Sequence, residues 1–383
     1  MRRLVRPVRR NAWPPVSRLA VLGLGIAGWG CGPTEVLVGD APGVARVVAG
    51  VLGAPYELAL PDTISAGPAG ATLLGAPVGI AGFEDGSFYL ADRVRRRVGF
   101  VSADGRLSWP VGRGVLCTLG GAPSVLPSEV CLGGPAGLAL APDGTLLIAD
   151  AGAHRVFRYD PVADRVLLVL GTGAAGVAVE GQPGAGSPTD QPVAVAQGPD
   201  GAVYVAEARN GRVVRVGADG LVRLVAGTGD AGDVGDGGPA RDARLANPAG
   251  LAWSGDTLYV ADAGNHRIRR VIRDSIFSYA GVGAAGFRGD GRGVGEALFR
   301  SPGALAAVGS LLLVADRGNL RVRIIRVGPD SIDTFGGTGA SEPGPDQLEI
   351  GRTALAGPAG LAAAGRAVFV SDSGGFVVRR VVR

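Results

Sequence analysis

An acidic side chain recurs at near-regular intervals along the chain, each time at the end of a short apolar stretch. His or Asn follows it in several copies, and such a set of carboxylates could bind a cation or a cationic substrate. An Arg also follows within a few residues in several copies, which is typical of a structural turn cap with ion pairing. We favour the structural role for the acids Asp92, Asp150, Glu207, Asp262, Asp316 and Asp372, with Arg155, Arg212, Arg267 and Arg321 as expected partners. The candidate binding residues are Asp150, His154, Asp262, Asn265, His266, Asp316 and Asn319.

A Gly-rich segment from Gly227 to Pro248 holds a second set of carboxylates, Asp230, Asp233 and Asp236. Calcium prefers several oxygen ligands supplied by a flexible loop, so this segment is a candidate calcium site. The spacing matches no EF-hand pattern. We favour a solvated connection and keep calcium as the alternative; no other cofactor is expected.

These residues sit in six copies of one unit, whose first residues are 54 to 58 positions apart. Each copy has four short apolar stretches separated by turn residues such as Pro-Asp-Gly, a pattern that predicts a four-stranded antiparallel blade. We name the strands A to D. Strand A is rich in Gly and Ala, so we place it innermost and expect small side chains around the axis. The copies begin at Pro77, Pro135, Pro192, Pro248, Pro302 and Pro358.

The last copy ends after its strand C, and a strand without a copy of its own lies near the amino terminus. Its text, VARVVAGVLG over residues 44–53, matches the strand D text LVRLVAGTG over residues 221–229. We therefore expect the amino-terminal strand to complete the last blade and close the ring, which removes exposed sheet edges. The prediction is an all-β, six-bladed β-propeller.

The repeat resembles the NHL family of β-propellers, named for a tripeptide that stands here as Asn265-His266-Arg267. Degraded forms are Ala153-His154-Arg155 and Asn319-Leu320-Arg321, and the resemblance covers residues 44–383. The family has RNA-binding, protein-binding and enzymatic members, so the resemblance implies the fold and leaves function open.

The amino-terminal segment is Arg-rich and continues into an apolar run, Leu19 to Trp29, of signal-peptide length. Cys31 follows small residues, as at a bacterial lipoprotein cleavage site, and would be acylated. A plain secretory signal and an uncleaved anchor are the alternatives. We expect a signal over residues 1–30, a tether over 31–43 and the propeller over 44–383. The expected location is the cell envelope, periplasmic or surface, with secretion as the alternative.

Two further Cys residues, Cys117 and Cys131, form an even pair between the first and second repeats. In an oxidising compartment they would form a disulfide, whereas two free thiols would indicate a cytosolic protein. We favour the disulfide.

Charge and composition then limit the function classes. All 38 basic residues are Arg, and the six before residue 31 belong to the signal, which leaves 32 against 34 acids. This balance, with few aromatic residues, argues against nucleic acid. Related amidating lyases use a zinc held by three histidines, and this chain has only two. We therefore favour a monomeric binding scaffold for a protein or small-molecule ligand on the face of the B–C turns and D–A connections. It would touch the membrane only through its lipid anchor; a propeller enzyme with a channel metal is the alternative.

Overall fold

Each repeat of the sequence folds into one antiparallel blade, with strand A innermost and strand D outermost. In the computed structural model, which describes residues 42–53, 67–115, 117 and 124–383, six such blades form a β-propeller. The six repeat prolines are the first residues of the six A strands, where a missing N–H costs no ladder bond. The predicted fold class and blade count are confirmed.

The strand bounds follow the order of the chain. Blades one to three have strands A to D at Pro77–Gly82, Phe88–Asp92, Arg97–Val101 and Arg106–Val111; Pro135–Leu140, Leu146–Asp150, Arg155–Asp160 and Arg165–Leu170; Pro192–Gln197, Val203–Glu207, Arg212–Val216 and Val222–Ala226. Blades four to six have them at Pro248–Ser254, Thr257–Asp262, Arg267–Ile272 and Ser275–Ala280; Pro302–Val308, Leu311–Asp316, Arg321–Arg326 and Ser331–Gly336; Pro358–Ala364, Ala367–Asp372, Val377–Val382 and Val44–Ala49.

The amino-terminal strand, Val44–Ala49, is strand D of the sixth blade, as the sequence match predicts. It pairs antiparallel with Val377–Val382, with Ala45 opposite Val381 and an irregularity after Val47. From strand alternation we expect Val44, Val47 or Val48 to be the buried residues, and this is wrong. The fully buried residues of the strand are Ala45 and Ala49. The break in register changes which side chains face the sheet interior.

The D–A connections carry short elements that the repeat pattern does not reveal. In four blades a two-residue strand pairs outside strand D, and each connection contains a one-turn 3₁₀ helix. The extra strands are Gly67–Pro68, Ser124–Val125, Arg292–Gly293 and Leu348–Glu349. The 3₁₀ helices are Ala69–Ala71, Pro127–Glu129, Gly184–Gly186, Ala240–Asp242, Val294–Glu296 and Ile350–Arg352. Two B–C turns contain a further turn of 3₁₀ helix, Ala263–Asn265 and Arg317–Asn319.

The hydrophobic core lies between neighbouring blades, because every strand B is apolar on both faces and is packed on both. Six buried clusters each draw residues from two consecutive blades. Blades six and one meet through the rings of Phe88 and Phe369, whose centroids are 5.0 Å apart. The Ser371 hydroxyl also donates a hydrogen bond of 2.6 Å to the carbonyl of Val78 at this junction. The ring therefore closes by side-chain packing as well as by strand pairing.

The predicted disulfide is confirmed. Cys117 and Cys131 are bonded, with their Cα atoms 5.4 Å apart, and link the end of the first blade to the entry of the second. Cys31, the predicted signal and most of the tether lie outside the described residues. Within the part of the chain that the structure describes, no helix is long and apolar enough to cross a membrane.

Candidate functional site

The six acids at the ends of the B strands are fully buried. The five aspartates cap the backbone of the chain entering strand A, whereas Glu207 accepts a hydrogen bond of 2.6 Å from the Thr189 hydroxyl on that segment. Asp150 is representative: its carboxylate accepts hydrogen bonds from the amides of Gly133 at 2.8 Å, Gly134 at 2.7 Å and Ala153 at 3.2 Å. One side chain thus fixes the B–C turn and the end of the D–A connection on the same face. We call this face, formed by the B–C turns and D–A connections, the loop face.

Asp262 and Asp316 make the same cap and also hold a buried guanidinium. The amide of Ala246 donates to Asp262 at 2.8 Å, and Arg269 lies 3.5 Å from its carboxylate. Arg323 lies 3.6 Å from Asp316 in the next blade. Burial raises the pKa of both carboxyl groups to about 6, although hydrogen bonds and the neighbouring arginines oppose the shift.

The arginines that pair with these acids differ from those expected. Arg212 lies 3.2 Å from Glu207, as predicted. The other three expected partners bond other groups: Arg155 donates to the Thr172 carbonyl, Arg267 to Asp233 on a loop and to Ser278 of strand D, and Arg321 to the carbonyls of Thr338 and Asn319. In blades four to six the pairing arginine is two residues further along strand C, or its equivalent, and is fully buried. These residues are Arg269, Arg323 and Arg379.

The Asn and His residues of the repeat tripeptide tie loops together. Asn265 donates to Asp262 at 2.7 Å and to the carbonyl of Gly232 at 2.5 Å, and Asn319 repeats this with Asp316 and Gly286. His154 accepts through Nδ1 from the amide of Gln191 at 3.3 Å, and His266 accepts from Ser301 at 3.1 Å. Each His therefore joins its B–C turn to the entry of the following blade. Binding of a ligand by the candidate residues stays a prediction, and each of them already makes at least one hydrogen bond that holds the loop face.

The three calcium candidates each face a different arginine. Asp230 lies 3.4 Å from Arg244, Asp233 lies 3.3 Å from Arg267, and Asp236 lies 2.6 Å from the buried Arg269. Among the described residues, no group of three or more Asp, Glu, His or Cys side chains lies close enough to hold a metal ion. Calcium binding by this loop stays a prediction.

A cavity of about 190 Å³ opens on the axis of the ring at the loop face. Its walls are the first halves of the A strands, and its polar lining residues are Arg93, Asn247 and Arg317. One aliphatic side chain from each A strand also lines a second cavity on the axis, so these six residues mark the boundary between the two. We call them the aliphatic ring: Ile80, Leu138, Val195, Leu251, Leu305 and Leu361. The expectation of small side chains throughout strand A is wrong at this position, because these six side chains belong to the buried clusters between neighbouring blades.

The family model for the NHL repeat matches residues 132–159 and 245–271. These are the second and fourth repeats, and the other four share their blade structure and spacing. The chain is an NHL-repeat β-propeller.

Solved structures similar to this NHL propeller share its fold at low sequence identity. A Bacteroides thetaiotaomicron protein of unknown function is 13% identical, with a TM-score of 0.64, over 88% of this chain and 75% of that one. An auxiliary nutrient binding protein from the same organism is 12% identical, with a TM-score of 0.62 and the same coverages. A putative gluconolactonase is 16% identical, with a TM-score of 0.52, over 88% and 91%. No curated protein matches the chain.

Sequence reasoning missed Arg93 and Arg317, the charged residues of the axial cavity in this NHL propeller. Each follows directly after a strand B acid, where blades two, three and four have alanine. The sequence shows these two arginines as departures from the repeat, because alanine is the commonest residue at this position. We instead searched for groups that recur in every copy, which selects the residues that build the blades.

Proposed function

We propose that this protein is an exported NHL-repeat propeller that acts as a binding scaffold and engages a small-molecule ligand on its loop face, at the mouth of the axial cavity. The observation that carries the proposal is the contrast within that face. Its recurrent polar side chains bond the fold's own backbone, whereas the axial cavity offers an open concave surface formed by all six A strands.

Two of the similar structures support a binding role. The auxiliary nutrient binding proteins from Bacteroides thetaiotaomicron and Bacteroides ovatus have TM-scores of 0.62 and 0.60. Both proteins are named as nutrient binding proteins. The likeness extends to the fold alone, so the nature of the ligand has to come from the residues of this chain.

Export to the cell envelope is part of the proposal. The Cys117–Cys131 disulfide suits an oxidising compartment, and the Arg-rich start, apolar run and Cys31 suit a lipoprotein signal. Expression in a lipoprotein-competent bacterium should give a protein that partitions into detergent, and Cys31→Ala should abolish partitioning. Partitioning that survives the substitution would contradict lipid anchoring at this residue.

The binding site can be tested by filling each end of the axial channel separately. Ala249 lines the loop-face cavity and Ala307 lines the opposite one. Ligands would be found by screening a metabolite library for thermal stabilisation of the purified protein. Ala249→Phe should abolish stabilisation by any ligand found, and Ala307→Phe should leave it intact. Ligands displaced only by Ala307→Phe, or no ligand at all, would count against the proposal.

A propeller enzyme with a channel metal is the competing function, and one measurement separates the two. Elemental analysis of protein purified without chelators should find no stoichiometric transition metal if the scaffold proposal is correct. One metal ion per chain, lost together with a hydrolytic or lyase activity on dialysis, would favour the enzyme.

A further inference from the structure

The residue that follows the strand B acid differs between blades in a way that the fold does not require. Blades two, three and four have the buried alanines Ala151, Ala208 and Ala263 at this position. Blades one and five have Arg93 and Arg317, whose side chains are exposed. Because alanine suffices to build the turn in three blades, the turn itself does not require an arginine at this position.

Both arginines line the axial cavity at its loop-face end. Within the described residues, neither guanidinium has an ion pair or hydrogen bond, although most other arginines of the loop face have carboxylate or carbonyl partners. An Arg without a protein partner keeps five donors available, in a planar arrangement that fits an oxyanion.

Each arginine contacts a glycine of the neighbouring backbone, and the glycine beside Arg317 makes room for it. Gly303 stands in strand A where the other blades have Val or Ala, and a Cβ atom built on it would lie 2.5 Å from Cδ of Arg317. Arg93 lies over Gly134, with its Cγ 3.7 Å from the equivalent Cβ position. Two arginines that break the repeat thus lie against glycines, and a larger residue at Gly303 would displace Arg317.

The two positive charges also affect each other. The protein atoms packed around Arg317 lower the pKa of its guanidinium, and the charge of Arg93 lowers it further. Solvent still reaches both side chains from the cavity. Like charges that share one cavity repel, and an anion placed between them would convert this repulsion into attraction.

Below the arginines the side chains that line the cavity are apolar. The lining residues there are Gly, Ala and Val of the A strands, and the aliphatic ring marks the inner end of the cavity. Each strand A is also the edge strand of its blade, so its unpaired backbone edge adds polar groups to the lining. A ligand therefore meets guanidinium charge at the mouth, and aliphatic side chains together with backbone polar groups at depth. This arrangement suits a small molecule with an anionic group at one end and a compact, mainly aliphatic body at the other.

We propose that Arg93 and Arg317 together bind the terminal oxyanion, carboxylate or phosphate, of a small amphiphilic molecule whose apolar part rests on the aliphatic ring. This inference rests on the proposed function and names the chemical class of its ligand. Asn247, the remaining polar residue of the lining, adds an amide at the same mouth.

The test uses hexanoate and butyl phosphate as probes, with hexanol and hexylammonium as uncharged and cationic comparators, in low-chloride buffer. Binding to the purified protein is followed by calorimetry and thermal stabilisation. At least one oxyanion probe should bind, and neither comparator should. Arg317→Gln and Arg93→Gln should each weaken that binding about tenfold or more, because each removes a charge-assisted hydrogen-bond donor. Gly303→Ala should weaken it while leaving the net charge unchanged.

Arg209→Gln is the matched control, since Arg209 is an exposed arginine of a B–C turn that does not line the cavity. Arg209→Gln should leave the affinity for the oxyanion probe unchanged. If it weakens binding as much as Arg93→Gln and Arg317→Gln do, the probe is attracted by the general positive charge of the loop face, and the proposal is overturned. The thermal midpoints of Arg93→Gln and Arg317→Gln without probe should equal or exceed wild type, because repulsion is relieved; a marked fall would indicate a structural role. Binding of hexanol or hexylammonium but of no oxyanion would overturn this inference and leave the proposed function standing. Failure of every small molecule would remove both.

Discussion

Closure of the ring by the amino-terminal strand gives the sharpest prediction about stability. A chain that begins at residue 60 keeps all six complete repeat motifs and loses Val44–Ala49. It should unfold at lower temperature and associate through the exposed edge of strand C, Val377–Val382. A chain that begins at residue 36 keeps the strand and should behave as the intact propeller.

The magnitude follows from what the strand covers. Val378 and Val381 are 0% and 1% exposed, and both would face solvent at the new edge. Exposing a valine side chain costs about 1.5–3 kcal/mol, so the loss is about 3–6 kcal/mol. With an unfolding entropy of about 2.1 cal/mol/K per residue over about 340 residues, the midpoint should fall by roughly 4–8 °C. The amide of Gly43 also donates to Val382 at 2.8 Å, and this bond would be replaced by one to water.

Thermal unfolding by circular dichroism gives the midpoint, and light scattering coupled to size exclusion gives the oligomeric state. Ala49→Glu places a charge at a fully buried position of the same strand and should mimic the truncation. Equal midpoints and monomeric behaviour in the two truncated chains would refute the reasoning, because the strand would then contribute nothing to closure.

Three further predictions test separate features. Cys117→Ser removes the disulfide and should lower the free energy of unfolding by about 3 kcal/mol. Without reductant the variant should unfold at a lower midpoint than wild type, and addition of reductant should lower the midpoint of wild type only. An unchanged midpoint in the variant would contradict this. Gly360→Ala would place Cβ 1.8 Å from the Val78 carbonyl and should prevent stable closure, whereas Gly351→Ala, with nothing within 4 Å, should fold normally; similar midpoints would be the contrary result. Burial raises the pKa of Asp316 to about 6, so its stabilising contribution is complete below about pH 4 and is lost as the pH rises through about 6. Relative to Asp316→Asn, wild type should therefore lose stability between pH 5 and pH 7.5, and the opposite trend would contradict the shift.

The fold could be predicted almost completely, because the same four-strand pattern recurs in six copies of the sequence repeat. The starts of the A strands, the blade count and ring closure follow from repeat spacing and from one strand that matches strand D outside the repeats. The disulfide follows from an even pair of cysteines and an expected oxidising compartment. The buried face of Val44–Ala49 could not be predicted, since a register break after Val47 resets the alternation. The two-residue strands outside strand D also escaped, because segments of that length have no periodicity.

The side-chain partners in the candidate site were harder to predict than the fold, for a physical reason. Pairing of a buried arginine with the strand B acid depends on which strand C position points inward, and sequence distance alone favoured Arg267 over Arg269. Both side chains are long enough to reach, so only packing decides between them. Arg267 instead reaches Asp233 on a loop, and Arg269 bridges the buried Asp262 to Asp236 of the same loop.

Repetition itself separates structure from function in this protein. A residue required to build a blade is needed six times, so the strand B acid occurs in every copy and is fully buried in each. A ligand on the axis meets all six blades at once and needs only a few specific contacts, so its residues have no reason to recur. Arg93 and Arg317 meet that criterion: they stand in two blades, at a position where three others have alanine, and both line the one cavity that opens at the loop face among the cavities described above. The strand A partner of Arg317 departs from the repeat as well, since Gly303 replaces the Val or Ala of the other blades. Two departures that fit each other sterically are not explained by the needs of the fold, and they locate the site where an oxyanion should be tested.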